Sequence, residues 1–198
     1  MPDQTSGPPH EREASSSPPK GRFGLGVAAG AGGLLAAGAV VGLIVVYSGG
    51  YDVAASEEHS AIGRWALDTT FHNSVRNRAR GLEPPQITPQ MLQSGAGAYK
   101  AMCQHCHAGP GAEREPWAAG MRPRPPHLAE AAAQWEVKEI YWIAKHGVKM
   151  SGMPAFGATH DDRELWGLAA FVKQLPGMEA ERYARAGGSA ARHGHAEP

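Results

Sequence analysis

The chain's only two cysteines stand three residues apart in "AMCQHCHAG", and a histidine follows the second directly: Cys103, Cys106 and His107. Thiol and imidazole groups at this spacing support three chemistries. A structural zinc site needs four ligands, commonly from two separated pairs, and there is no second cysteine pair. His105 could add a donor, but residues 103–107 alone cannot wrap a tetrahedron. A redox disulfide of the Cys-x-x-Cys type belongs to a βαβ pattern, whereas the residues before this motif read as helix, and that reading leaves His107 without a task. The third chemistry is covalent haem attachment through Cys-x-x-Cys-His. Positions i, i+3 and i+4 share one face of a helical turn, so two thiols can bond the two vinyl carbons while the imidazole points at the iron. The motif therefore predicts one covalently attached haem c, held by Cys103 and Cys106 and ligated by His107.

One axial histidine leaves the opposite face of the iron to be filled. Downstream, "KHGVKMSGMPAFG" sets Met153 after a glycine and before Pro154, on a loop beyond the next helix. A thioether ligand favours ferrous iron and raises the potential, and Pro154 would stiffen the loop that holds the sulfur. Met153 is the expected metal ligand beside His107. Met150 and His146 compete within the same stretch, and either methionine could instead fill a gap in the core.

These groups need elements to position them. Thr88 and Pro89 read as an N-cap and a first helical residue, opening a helix to about Cys103. The proline-rich stretch after it predicts loop, with a short helical turn near Leu128 to Ala133. "WEVKEIYWIAKHG" predicts a helix with Val137, Ile140, Tyr141, Ile143 and Ala144 on its apolar side and Gly147 as its stop. "HDDRELWGLAAFVKQLPG" predicts the last helix, capped by Asp161 or Asp162, with Leu165, Leu168, Ala169, Val172 and Leu175 as its stripe. No useful segment alternates apolar and polar residues, so no sheet is expected. The fold class is all-α, three main helices with long loops over 88–178. A domain this short makes a thin core, which a bulky apolar group at its centre would complete.

Phe23 to Tyr47 form 25 residues without a charge. As a helix they rise about 37 Å, against a bilayer core of about 30 Å. A single transmembrane anchor over 23–48 follows, after a Pro-, Ser- and Gly-rich tail, 1–22, expected to be disordered and cytoplasmic. Gly26/Gly30 and Gly38/Gly42 repeat the small-xxx-small spacing of packed membrane helices. Lys20 and Arg22 before the span, against Asp52, Glu57 and Glu58 after it, orient the N-terminus to the cytoplasm. The haem domain would then be periplasmic or extracytoplasmic, on the inner membrane. The apolar run exceeds a signal peptide's usual core, which favours a retained anchor over cleavage after Ala55.

Residues 49–87 read as a periplasmic linker. Within it, 56–80 predict an amphipathic helix with Ile62, Trp65, Phe71 and Val75 near one face, Ser56 near its start, and Arg76, Arg78 and Arg80 available to lipid head groups or a partner. Residues 179–198 lose their periodicity and are expected to be a disordered tail, in which His193 and His195 have no assigned role. With 19 basic and 19 acidic side chains the net charge is zero, so no whole-chain field draws nucleic acid.

"CQHCH" with "GMPAF" 46 residues beyond His107 resembles a class I cytochrome c. The run "WIAKHGVKMSGMPAFGATHDDRELWGLAAFVKQLP" resembles the mono-haem, membrane-anchored c-type cytochromes related to the small cytochrome domains of haem-copper oxidases. The resemblance covers roughly 88–177. It implies a class I cytochrome c fold, with Gly95 and Tyr99 of the first helix meeting Leu168 and Phe171 of the last. It also implies a proline carbonyl, Pro125 or Pro126, accepting a hydrogen bond from His107, next to a His127 that is unexpected there. The implied function is single-electron transfer between respiratory or dehydrogenase complexes and a terminal acceptor, by a carrier rather than an enzyme. Its partners would be redox proteins and the membrane, with no small-molecule substrate. Lys100, Lys145 and Lys149 would form a basic rim for an acidic partner. The alternatives are a tightly bound haem subunit of a larger membrane oxidoreductase and a haem-based sensor.

Overall fold

The computed structural model describes residues 20–188. The expectations for the tail at 1–19 and for His193 and His195 fall outside them. The chain divides after Val53 into two units. In the first, helix α1 (Lys20–Ser48) contains the span Phe23–Ser48, long and apolar enough to cross a membrane. Among the described residues, a side chain added at Gly26, Gly30, Gly38 or Gly42 would meet nothing within 4 Å.

The second unit is helical, with a lone bridge between Gly109 and Ala112 in place of any strand among the described residues. Helix α2 (Ala61–Ala79) starts at Ser60, whose hydroxyl accepts from the Gly63 N–H at 3.1 Å, four residues after the expected Ser56. Val75 and Ala79 are fully buried; Phe71 meets the Trp135 indole edge-on at 5.5 Å and His72 stacks on the same ring at 4.7 Å. The helix anticipated in a linker is thus packed on the domain that follows it. Ile62 and Trp65 do not share its buried face: they are 78% and 68% exposed. At 100° per residue they point about 120–180° away from Phe71.

Helix α3 (Pro89–Ala98) opens as the sequence predicts, with the Thr88 hydroxyl accepting from the Met91 N–H and Pro89 in the first turn. It continues through a wide turn, Tyr99–Cys103, into α4 (Gln104–His107). After the proline-rich loop come α5 (Leu128–Ala131), α6 (Val137–His146) and α7 (Asp162–Val172). Asp161 caps α7, exchanging hydrogen bonds with Glu164 at 2.9 and 3.1 Å. Such a cap contributes about 1 kcal/mol.

The core forms where α3 crosses α7, and the crossing is backbone on backbone. A side-chain carbon at Gly95 would overlap the Gly167 carbonyl and come within 2.6 Å of the Leu168 nitrogen, and one at Gly167 would run into the Met91 carbonyl. Tyr99 and Phe171 pack beside this contact at 5.8 Å, so the meeting of Gly95 and Tyr99 with Leu168 and Phe171 is observed. The glycine on the α7 side, Gly167, is an addition. α6 joins the same layer through Tyr141, flat on Trp166 at 3.9 Å.

The expected disorder after 178 is corrected for 180–188. Ala180–Arg185 form helix α8, and Tyr183 is 3% exposed. Six residues are too few for an apolar period, and the ordering comes from one aromatic ring inserted against Gly109, Tyr99 and Phe171.

Candidate functional site

Cys103, Cys106 and His107 lie at the end of the α3–α4 rod. The wide turn arises because the Gln104 N–H reaches the Tyr99 carbonyl, five residues back. Single turns of this kind commonly mark functional positions in helices. The rod stops immediately after His107. Ala108 takes φ 62° and ψ −165°, a conformation disfavoured for a residue with a side chain, at a cost of about 1–3 kcal/mol. What holds it is the buried Tyr99 hydroxyl, which donates to the Ala108 carbonyl at 2.7 Å. Tyr99 therefore serves both the helix crossing and the reversal that turns the chain away behind His107.

The two thiols are not bonded to each other. Burial, with a contribution from Cys106, pushes the Cys103 thiol up to about 12; burial also raises Cys106, and the charge of Arg114 opposes that rise. Both groups are neutral thiols at pH 7.

His107 is oriented from behind. Its Nδ1–H donates to the Pro126 carbonyl at 2.9 Å, which leaves Nε2 with the lone pair. Burial lowers its proton affinity, the Pro126 bond acts in the opposite sense, and the charges of Arg114 and His127 lower it further. A neutral imidazole with Nε2 free is the form that ligates a metal. Of the two candidate carbonyls, Pro126 serves the imidazole, while Pro125 accepts from Arg114 at 2.8 Å. Arg114 was not singled out in the sequence; it pins the segment that orients His107. His127 is exposed and makes no capping bond at the start of α5.

Met153 sits on a closed loop. Gly147 ends α6 at φ 64°, where a side chain would lie 2.6 Å from the Pro154 carbonyl carbon. The Ser151 hydroxyl donates to the Val148 carbonyl at 2.7 Å and accepts from the Met153 N–H at 3.2 Å, and the Val148 N–H donates to the Met153 carbonyl at 3.2 Å. Two hydrogen bonds thus fix the backbone of Met153, a third closes the loop behind it, and Met153 is half-buried. Met150 is 93% exposed, and His146 is exposed beside Trp142.

A second methionine connects the two regions. Met121 places its sulfur 4.0 Å from the Cys106 sulfur, and its methyl group occupies the space a side chain at Gly152 would need. The cysteine motif and the loop carrying Met153 therefore border the same space, with Met121 between them. Next to it, Arg122 donates from Nη1 to the Ala119 and Met121 carbonyls, but its buried Nε has no partner. A buried cationic N–H left over on the residue after Met121 fits a largely apolar group that also carries carboxylates, as haem does. Nothing in the sequence distinguished Met121 or Arg122 from neighbouring residues of the proline-rich loop.

The basic rim is corrected at two of its three positions. Lys100 donates to the Ala184 and Ala186 carbonyls at 2.9 and 2.6 Å, closing the end of α8, and its charge lies 5.0 Å from the Tyr183 ring centre. Lys145 pairs with Asp162 at 2.6 Å and with the Tyr141 hydroxyl at 3.0 Å. Lys149 is exposed.

Residues 90–172 match the family described as cytochrome C oxidase, cbb3-type, subunit III. No curated protein matches the chain. The matched stretch runs from the first turn of α3 to the end of α7 and so contains both site regions and the helix crossing. These residues form a class I c-type cytochrome domain, related to the cytochrome domains of oxidases, and their function is haem-based electron transfer.

Proposed function

We propose that the protein is a membrane-anchored mono-haem electron carrier. Cys103 and Cys106 would attach one haem c, and His107 and Met153 would ligate its iron. The observation that carries this reading is Met121, in contact with both Cys106 and Gly152, which brings the Met153 loop to the space bordered by the cysteine motif. The bound group supplies a one-electron ferric/ferrous couple. The chain supplies the rest: Pro126 holds the His107 tautomer, Arg114 holds Pro125, and Ser151 and Val148 hold the Met153 backbone. With His107 held on α4 and Met153 on a hydrogen-bonded loop, a change in the iron's charge would require little rearrangement of the chain. Met150, pointing to solvent, is a poor competitor for the sixth position.

Electrons would pass between respiratory or dehydrogenase complexes and a terminal acceptor, with α1 retained in the inner membrane, the N-terminus cytoplasmic and the haem domain outside. The match to an oxidase-subunit family favours a second reading, a haem subunit held within a membrane oxidase complex. Purification in mild detergent separates the two, since a subunit keeps stoichiometric partners through high salt and a carrier does not.

The ligand assignment is tested by optical and redox titration of the full-length protein. Met153→Ala removes the weak sulfur-to-iron absorption band and lowers the potential, because a thioether favours ferrous iron. Met150→Ala changes neither. A band that survives Met153→Ala refutes the assignment.

A further inference from the structure

Helix α2 has a second face that the domain does not use. Ile62 and Trp65 are exposed at its N-terminal end, directed away from the Phe71–Val75 face that packs on Trp135. At 100° per residue, Arg80 falls on the same line as Ile62 and is exposed, whereas the Arg76 guanidinium turns back over the Trp135 ring, 6.0 Å from its centre. Over the roughly 27 Å from residue 62 to residue 80, this face thus runs from large apolar side chains to an arginine. The helix's one acidic residue, Asp68, lies to the side and pairs with His72 at 3.5 Å; Glu58, ahead of the helix, pairs with Arg64 at 2.8 Å. The macrodipole accounts for arginines in a last turn, but not for an exposed tryptophan and isoleucine in the first. Tryptophan with arginine is the composition that settles at a membrane–water interface.

We infer that this face of α2 lies on an anionic lipid surface, Ile62 and Trp65 entering the headgroup boundary and Arg80 meeting phosphates. The inference rests on the proposed retention of α1 in the membrane. Twelve residues, 49–60, join Ser48 to Ala61. Fully extended they span about 42 Å, so α2 is always tethered within reach of the bilayer. Arginine attraction to an anionic surface and burial of the apolar pair then act on a helix already held close by.

The test uses the full-length holoprotein reconstituted in vesicles of phosphatidylethanolamine and phosphatidylglycerol at 3:1, or of phosphatidylcholine alone, each carrying a trace of lipid with a photoreactive acyl chain. Flotation is scored first, then labelling is mapped by peptide, with the exposed stretch 161–164 as the reference. The expected result is labelling of residues 61–66 in the anionic vesicles at least about fivefold above that reference. Arg80→Gln should cut it about fivefold, as follows from the attraction of one basic side chain to such a surface. Ile62→Ser with Trp65→Ser should abolish it, while the haem spectrum, set by residues these changes do not touch, stays the same. Protein that floats but shows no excess label on 61–66, as it would if another protein covered this face, overturns the inference and leaves the anchor standing. Protein that fails to float overturns both.

Discussion

Replacing Gly95 by alanine adds one carbon where the structure has no room for it. The new atom would overlap the Gly167 carbonyl and lie 2.6 Å from the Leu168 nitrogen, whereas ordinary contact begins at 3.4 Å. The obstructing atoms are backbone, so no rotamer can yield, and α3 and α7 must separate by at least 0.8 Å, the difference between those two distances. Overpacking of a rigid core costs about 1–3 kcal/mol, and this site belongs at the upper end because two backbones must move together. Alanine returns about 1 kcal/mol through helix propensity, so the net loss is about 2 kcal/mol. For a domain of this size that lowers Tm by about 8–16 °C. The assay is thermal unfolding of the detergent-solubilised holoprotein, with Gly81→Ala as the control, since a side chain there meets nothing within 4 Å. Gly167→Ala should behave similarly, and the double variant should lose less than the sum, because one displacement relieves both clashes. A Gly95→Ala protein within about 0.5 kcal/mol of the wild type would refute the backbone-contact account, since that is the range of an ordinary surface substitution.

Other changes test the elements around the cysteine motif. Tyr183→Phe removes a hydroxyl that donates to Gln104 Oε1 at 2.6 Å; it should cost about 1 kcal/mol and speed hydrogen exchange in α4 and α8 together. Unchanged exchange in α4 would mean that α8 rests on the motif without bracing it. The Lys145 ammonium and the Tyr141 hydroxyl hold Asp162 below its usual 3.8. Its folded affinity for protons is depressed, so its contribution is present above pH 3.8 and is lost as pH falls through the lower folded value. Asp162→Asn should therefore lose stability near neutral pH and converge with the wild type in strong acid, read by Tm against pH. Parallel curves would exclude the pair as the cause.

The motif chemistry and the main helices were legible locally. Cys-x-x-Cys-His states its attachment chemistry through spacing alone. The caps at Thr88 and Asp161 and the stop at Gly147 are single-residue signals whose physics is confined to one helical turn, and all three are observed. The lysine rim, the start of α2 and its inward face were misjudged for a common reason. Exposure of Lys100 and Lys145, and the choice between Ile62 and Phe71 as core, depend on partners distant in the chain: the end of α8, the start of α7, and Trp135. Arg114, Met121 and Arg122 carry no periodic or spacing signal, since a loop positions its side chains by tertiary contact.

By itself, the sequence determined that two thiols and an imidazole share one helical turn, that a charge-free run of 25 residues precedes them, and that the domain is helical. Those follow from short-range geometry and composition. Only the tertiary structure decided that Pro126 rather than Pro125 accepts the hydrogen bond from His107, that Met150 faces solvent while Met153 is half-buried, and that Gly167 answers Gly95 across the core. Each is a choice between residues that look alike in the chain, and what separates them is which one the packed backbone brings within about 3 Å of a partner.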